Sequence, residues 1–258
     1  MKRIVHRILV GIGRQIFALG FDPRAILTLR HYPKYLRHKR EWKNKGGKIT
    51  QNYMILGDYE DSAGKASGHY FHQDLLVASF IAGKNPKRHV DIGSRVDGFV
   101  AHVASFRKIE VVDIRPLPPS KHANIHYVQA DLMNPSQLGR TGSLSCLHAI
   151  EHFGLGRYTD PIDVDGHIKG IANLVALVES GGTLYISFPI GQGDEVHFNA
   201  HRVFHPKTIL TVPAIRDAME LKRFDYVDDA GDLHTDVSVD DAVGQTHFGC
   251  GIYTFIKK

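Results

Sequence analysis

The sequence predicts an α/β protein with a three-layer, doubly wound and mostly parallel sheet, preceded by a basic helical arm. Between residues 89 and 188, five short apolar runs of strand length alternate with helical patterns, which is typical of parallel strands joined by helices. Acidic residues stand at or just beyond the carboxyl ends of four of these runs. With 258 residues, of which 43% are hydrophobic, the chain can bury one such core, whereas it is too short to build two full domains comfortably.

The strands and helices can be placed in order along the chain. We predict five strands, at residues 89–92, 109–112, 125–129, 144–149 and 183–188. Helices are predicted through residues 99–106 and 168–178, and Gly181-Gly182 is a stop signal for the second. The last predicted elements are a helix at 213–221 and two strands, at 223–227 and 251–256.

One further helix is predicted to open at Gly68-His69-Tyr70-Phe71-His72-Gln73-Asp74, directly before the first strand. Polar residues at a helix start are typical of ordinary capping and surface exposure. The same helix also lies where it can cover a ligand, and the sequence leaves both interpretations open.

Residues 1–48 are predicted to be a basic amphipathic arm, followed by the α/β domain at 49–258. The arm holds 13 Lys or Arg and only Asp22 and Glu41 as acids, so it carries +11, and the rest of the +5 chain carries −6. Apolar residues recur in it at helical spacing, at Ile4, Val5, Ile8, Leu9, Ile12 and Ile16.

The arm suits two kinds of partner about equally. A second basic run, residues 37–45, contains Trp42, which suits a membrane headgroup region. Alternatively, the apolar face packs on the domain or on a second subunit. Nucleic acid is disfavoured because no aromatic and basic readout motif is present. The sequence leaves the oligomeric state open.

Cysteine usage and hydropathy indicate the compartment. Cys146 and Cys250 lie in apolar, strand-like runs, which predicts buried free thiols in a reducing compartment. No apolar stretch approaches the roughly 18 residues of a membrane-spanning helix, and His6, Arg7 and Arg14 interrupt the apolar core that a signal peptide needs. We therefore expect a cytoplasmic protein, with peripheral contact at the inner face of the membrane as the option that the arm adds.

The stretch His89-Val90-Asp91-Ile92-Gly93-Ser94 reads as a strand, a tight turn and a helix start. A glycine there lets a ligand approach the backbone. Asp113 follows the next strand, 22 residues after Asp91, near the spacing at which a carboxylate binds ribose hydroxyls. Asp131, after the third strand, suits an exocyclic amine such as that of adenine. The alternative is that these acids only begin loops.

These motifs resemble those of the class I S-adenosylmethionine-dependent methyltransferases over residues 68–258. The residues that carry the resemblance are Val90-Asp91-Ile92-Gly93-Ser94, Val112-Asp113, Gln129-Ala130-Asp131-Leu132, Ala149-Ile150-Glu151-His152, Glu179-Ser180-Gly181-Gly182-Thr183-Leu184 and Ser187-Phe188-Pro189. The resemblance implies S-adenosylmethionine as cofactor, S-adenosylhomocysteine as product, and a C-terminal hairpin that places one antiparallel strand in the sheet. The cofactor-binding residues that it implies are Asp91, Gly93, Ser94, Arg95, Asp113, Asp131 and Leu132.

Two features refine the resemblance. The second and third glycine positions of the superfamily's first loop are Arg95 and Asp97 here, with a glycine following at Gly98. Arg95 is suited to cover the carboxylate of the donor's methionine end. The segments 151–158 and 198–202 are similar to a domain-of-unknown-function family met in bacterial surface-polysaccharide contexts, which implies a sugar or glycan acceptor.

Methyl transfer to a hydroxyl needs alignment and a base, and histidine suits that base. The predicted catalytic residues are Glu151, His152, His197 and His201, and the predicted substrate-binding residues are Arg157, Tyr158, Asn199 and Arg202. Each has an alternative interpretation. The Glu151-His152 pair can be scaffold, and His197 and His201 can simply hydrogen-bond within a loop. Four residues apart, they would also share a helix face and could ligate a metal with Glu195, but no third protein ligand is forced by spacing, and no metal is predicted.

The sequence therefore predicts an S-adenosylmethionine-dependent O-methyltransferase of a sugar or glycan intermediate. A non-catalytic methyltransferase-like module that organises a membrane-associated polysaccharide assembly is the alternative, motivated by the altered glycine loop. Nicotinamide-dependent oxidoreduction would use the same kind of sheet, but the Gly-x-Gly-x-x-Gly that it needs after the first strand is missing.

Overall fold

The computed structural model describes residues 24–134 and 138–258, which divide into two compact units between Lys65 and Ala66. The first unit contains helices α1 (Arg24–Thr28) and α2 (Tyr32–Asn44), and no side chain of α2 is buried. The apolar helix predicted around residues 4–16 lies outside the described residues. The domain boundary at residue 48 stays a prediction. Among the described residues, no helix is long and apolar enough to cross a membrane.

The second unit is built on an eight-stranded sheet with the order β3-β2-β1-β4-β5-β10-β8-β9. Its strands are β1 (Val90–Ile92), β2 (Ile109–Asp113), β3 (Ile125–Gln129), β4 (Thr141–Leu147), β5 (Val178–Ile190), β8 (Met219–Val227), β9 (Leu233–His234) and β10 (Gly249–Lys257). The pairings among β1 to β5 are parallel, as the alternation of strands and helices predicts.

The two long C-terminal strands confirm the expected terminal hairpin. Strand β10 lies between β5 and β8 and is antiparallel to both. It is buried from Gly249 to Phe255, because both of its edges are paired and both of its faces are covered. The antiparallel part of the sheet thus extends from β5 through β10 and β8 to β9.

Helices pack on both faces of the sheet, which makes the three predicted layers. They are α3 (His69–Lys84), α4 (Ala101–Ala104, after a π-helical turn at Val96–Val100), α5 (Gly166–Leu177), α6 (Thr208–Thr211), α7 (Pro213–Ala218) and α8 (Val239–Ala242). Strand alternation divides the core into two clusters: Val112 belongs to the one that includes side chains of α5 and α7, and Val111 belongs to the one that includes side chains of α3. Cys146 and Cys250 are buried free thiols, as predicted.

Two local predictions need correction. Strand β5 begins at Val178, so Gly181-Gly182 lies within it, where the pairing with β4 shifts register and Gly181 takes a φ of +74°. His197 and His201 do not share a helix face. They are opposite each other across a two-stranded hairpin formed by β6 (Glu195–His197) and β7 (His201–Val203), because a tight turn reverses the chain between them.

Candidate active site

A pocket of about 530 Å³ opens at the carboxyl ends of β1 and β2 and beside the segments that follow β3 and β4. Ligands of open α/β sheets bind at this edge. Six predicted site residues line it: Gly93, Asp113, Asp131, Leu132, His152 and Tyr158. The structure therefore brings the strand-end residues and one candidate base into a single space.

Gly93 forms the turn at the base of the pocket. Its φ is +71°, in the left-handed region that favours glycine, and its amide donates to the carbonyl of Val112 at 2.8 Å. A Cβ added here would lie 2.9 Å from the Cβ of Ala149. Only glycine fits this turn without strain, which leaves the backbone accessible to a ligand.

Asp113 lines the pocket from the end of β2 and is held by Arg115. The Arg115 Nε and Nη2 donate to its two carboxylate oxygens at 2.9 and 2.5 Å, and the Arg115 amide donates to Oδ1 at 2.8 Å. The guanidinium of Arg115 also lies 4.3 Å from the ring centre of Tyr158. Oδ1 already accepts two hydrogen bonds, but Oδ2 accepts only one, so Asp113 can still accept from a ribose hydroxyl through Oδ2.

Asp131 follows β3 and is oriented by its own loop. Its Oδ1 accepts from the amide of Met133 at 2.9 Å, and its Oδ2 accepts from the side chain of Asn134 at 2.8 Å. Leu132 beside it is buried. The pair thus presents a fixed carboxylate next to an apolar wall, which suits a purine with an exocyclic amine.

Asp91 and Ser94 are brought under the glycine turn and do not line this pocket. Strand alternation turns Asp91 away from the core face used by Val90 and Ile92, and its carboxylate accepts from the Ser94 amide and from the hydroxyls of Ser94 and Ser145. Burial raises the pKa of Asp91 to about 6, although these hydrogen bonds oppose the shift. Both residues thus support the turn from below.

Arg95 points away from the pocket. Its guanidinium pairs with Asp97 at 3.0 Å and lies 4.9 Å from the ring centre of Tyr70. With Ser94 it lines an adjoining cavity of about 650 Å³, which shares Asp113 and Arg115 with the first. Arg95 could therefore reach the donor's carboxylate only if that carboxylate lies in the second cavity, and the contact stays a prediction.

His152 lines the pocket opposite the strand ends. Its Nδ1 lies 2.7 Å from the carbonyl oxygen of Ala200, which only accepts, and 3.3 Å from Nη1 of Arg157, which only donates. The shorter contact assigns the proton to Nδ1 and leaves Nε2 as the basic nitrogen. Burial lowers the pKa of His152, which keeps it neutral at pH 7. Its Nε2 is 3.6 Å from the Glu151 carboxylate, which would stabilise an imidazolium.

Glu151 is buried beneath His152 and binds His148, which the sequence analysis missed. Its Oε1 accepts from the Nδ1 of His148 at 2.9 Å. Burial opposes ionisation of Glu151, but the hydrogen bond and charge of His148 outweigh it and lower its pKa. His148 itself lines the pocket, so Glu151 acts on the pocket only through the two histidines.

The hairpin residues lie outside the pocket lining. His197 binds Glu195 at 2.7 Å and His201 at 3.2 Å, and Asn199 is exposed in the turn. Arg157 donates to the Ala200 carbonyl at 2.8 Å, so it holds the hairpin next to His152.

Arg202 is buried, and its guanidinium donates to main-chain carbonyls, including that of Phe153 at 2.6 Å. The structure thus places Arg202 behind the loop after β4, away from the pocket.

Three residues outside the predicted site set also line the pocket: Arg115, His148 and Asp160. Asp160 accepts from the amides of Gly154, Gly156 and Tyr158 and so shapes the loop after β4. Arg115 stands two residues after Asp113, a spacing that fits a side chain folding back on the carboxylate. His148 directly follows β4 with a φ of +49°, and no signal in the sequence marks it.

The sequence is similar to one family of unknown function over part of its length. The model of "Caenorhabditis protein of unknown function, DUF268" matches residues 140–245, which cover the loop after β4, the hairpin and β8. No curated protein matches the sequence. The polysaccharide context expected from the sequence stays a prediction.

Solved structures show what the fold is similar to. The glycopeptide N-methyltransferase MtfA complexed with sinefungin superposes with a TM-score of 0.51 at 10% identity, over 76% of this chain and 90% of that chain. N-methyltransferase NodS from Bradyrhizobium japonicum WM9, in complex with S-adenosyl-L-homocysteine, gives 0.49 at 13% identity, over 78% and 91%. The sheet order and the likeness to MtfA agree on the methyltransferase-like, doubly wound fold that the sequence predicts.

Proposed function

We propose that this protein transfers a methyl group from S-adenosylmethionine to a hydroxyl oxygen of a sugar or glycan intermediate. One observation carries the proposal: Gly93, Asp113, Asp131 and His152 line a single pocket at the ligand-binding edge of the sheet. The strand-end residues match the parts of a nucleoside, and a neutral histidine stands across the pocket from them.

The donor would lie along the strand ends. Asp113 would accept from a ribose hydroxyl, and Asp131 with Leu132 would hold the adenine by a hydrogen bond and an apolar contact. Gly93 would let the donor approach the backbone closely. Asp91 is not available for this, because its carboxylate is taken up by Ser94 and Ser145.

His152 would act as the general base. Its Nε2 would take the hydroxyl proton as the oxygen attacks the donor's methyl group and the thioether leaves. The resulting imidazolium would be stabilised by Glu151, 3.6 Å away, and by the Ala200 carbonyl on Nδ1. His201 and His197 lie on the neighbouring hairpin and would contact a bulky acceptor.

Calorimetric titration with S-adenosylhomocysteine tests the donor site. We expect binding by the intact protein and about 10-fold to 100-fold weaker binding by Asp113→Ala, because a hydrogen bond to a charged group contributes about 1.5–3 kcal/mol. Asp217→Ala is the matched control, since Asp217 is an exposed aspartate that also pairs with a neighbouring arginine.

Two results would end the cofactor assignment: no binding by the intact protein, or equal binding by Asp113→Ala. The first would also favour the non-catalytic module that the altered glycine loop suggests. If S-adenosylhomocysteine binds, methyl-labelled S-adenosylmethionine is incubated with a panel of free and nucleotide-linked sugars. A sugar that becomes labelled is the acceptor, and loss of its label on O-demethylation shows that the methyl group was attached to oxygen.

The basic arm is proposed to contact an anionic membrane surface. Helix α2 supports this, because it carries five Lys or Arg and buries none of its side chains among the described residues. Sedimentation with anionic vesicles tests it, using the full chain and a chain that begins at residue 49. An unchanged bound fraction after truncation would remove the membrane partner.

A further inference from the structure

Three metal-binding side chains from distant parts of the sequence meet beside the pocket. His69 opens α3, His148 follows β4, and Cys250 lies in β10. One potential ligand atom from each lies within 4.8 Å of the other two. Among the described residues, no other group of three or more histidine, cysteine or acidic side chains has this arrangement.

His148 is oriented as a metal-binding histidine would be. Its Nδ1 is 2.9 Å from the Glu151 carboxylate, while its Nε2 is buried and has no hydrogen-bond partner among the described residues. Histidines that bind metals usually donate their other N–H to such a carboxylate, which fixes the tautomer and the ring orientation. A buried nitrogen without a partner is costly, so a ligand for Nε2 is expected.

The other two side chains complete a zinc-type set. The ring of His69 is stacked on that of His148, with centroids 5.3 Å apart, and is partly exposed, so it can rotate. Cys250 is fully buried and supplies sulfur. The ligand atoms of a tetrahedral zinc ion lie roughly 3.5 Å from one another, so side-chain movements of about 1 Å would bring these three atoms to zinc-binding distances.

The charges of the site also fit a divalent ion. His148 lies between the Cys250 sulfur and the Glu151 carboxylate, two groups that are anionic when deprotonated. A divalent cation with a thiolate and the Glu151 carboxylate would leave the buried site neutral, with both imidazoles uncharged.

We propose that His69, His148 and Cys250 bind a zinc ion, with Glu151 holding His148 in place. Two imidazoles and a thiolate are a ligand set that zinc accepts, and three protein ligands leave a fourth position open. Because the ligands come from α3, the end of β4 and β10, the ion would also tie these elements together. This proposal does not rest on the proposed methyl transfer, although Glu151 has a part in both.

Cobalt substitution tests the site in the full chain without an affinity tag. The 17 histidines could bind metal nonspecifically, but only a cysteine ligand gives a cobalt–thiolate charge-transfer band. We expect this band at one equivalent of Co²⁺, its displacement by Zn²⁺, and no displacement by Mg²⁺, which prefers oxygen ligands. Zinc should also raise the Tm of the metal-free protein.

Matched variants decide which side chains bind. Cys250→Ser should lose the band, whereas Cys146→Ser, at the other buried cysteine, should keep it. Glu151→Gln should weaken zinc affinity about 10-fold to 100-fold, as expected for a partner that orients a ligand. If Cys250→Ser does not fold, His69→Gln replaces a partly exposed ring and should weaken zinc binding by at least as much as Glu151→Gln.

The proposal is overturned if the wild-type protein shows no cobalt band, or if Cys250→Ser or His69→Gln binds as tightly as the wild type. Titration of the metal-free protein with S-adenosylhomocysteine separates the two proposals, because Asp113 and Asp131 are not zinc ligands. A protein that binds zinc but not the nucleoside would retain this inference and lose the proposed function.

Discussion

The two sides of the pocket are built differently. What we propose as the donor side, Gly93, Asp113 and Asp131, stands on strand ends, and its carboxylates are held by hydrogen bonds from within two or three residues. What we propose as the acceptor side, His152 and Tyr158, stands on the loop after β4, and His152 is held from the hairpin 48 residues away. The donor side is thus determined locally, whereas the acceptor side depends on two long connections.

In the proposed function, this difference separates binding of the cofactor from the methyl-transfer step. Strand ends are fixed by the sheet, so they suit a cofactor that is the same in every turnover. Loops vary in length and side chains without disturbing the sheet, so they suit the acceptor and its base. Substitutions on the two sides should therefore change different measured quantities.

The largest effect is expected at His152. His152→Ala should lower kcat about 10²-fold to 10⁴-fold, because general-base catalysis contributes on that order, while affinity for S-adenosylhomocysteine stays unchanged. His201→Ala is the matched control from the hairpin and should change KM more than kcat. The rate is measured with the sugar identified in the acceptor screen. A His152→Ala enzyme with wild-type kcat would remove the base assignment.

The next effect is expected under the donor side, at Asp91. Its pKa of about 6 in the folded protein lies above the ordinary 3.8, so the folded state binds the proton more tightly than the unfolded state. The protonated Asp91 therefore contributes about 3 kcal/mol to the free energy of unfolding below pH 4, and this contribution is lost as pH rises through 6. Asp91→Asn lacks this titration.

Urea unfolding of Asp91→Asn and the wild type between pH 4 and 7.5 measures this difference. The free energy of unfolding of Asp91→Asn minus that of the wild type should increase as pH rises. Asp217→Asn, at an exposed position, provides the comparison. Parallel stability curves for Asp91→Asn and the wild type would contradict the raised pKa.

The smallest effect is expected at Gly93. Gly93→Ala places a side chain at φ +71° and a Cβ near Ala149, so the free energy of unfolding should fall by about 1–2 kcal/mol. Affinity for S-adenosylhomocysteine should fall about tenfold, while kcat at saturating donor changes little.

Gly193→Ala is the control for this glycine. The backbone of Gly193 is outside the left-handed region, and an added Cβ meets no atom within 4 Å. Equal stability and equal donor affinity for the two variants would show that the turn at Gly93 has no special role.

The sequence by itself determined the sheet and the residues of the proposed donor side. Strand periodicity placed residues 125–129 in a strand with the observed bounds, and of the residues marked at strand ends Gly93, Asp113 and Asp131 line the pocket. These features depend on neighbours within a few residues, so they can be read from local patterns. The free, buried state of Cys250 followed from its apolar run.

Only the tertiary structure decided which polar side chains meet. It joined Asp91 to Ser145 of β4, made a hairpin of the segment around His197 and His201, and brought Arg202 behind the loop after β4. It also placed His148 between Glu151 and the side chains of His69 and Cys250. These contacts join residues up to 181 positions apart, and no local periodicity encodes such distances.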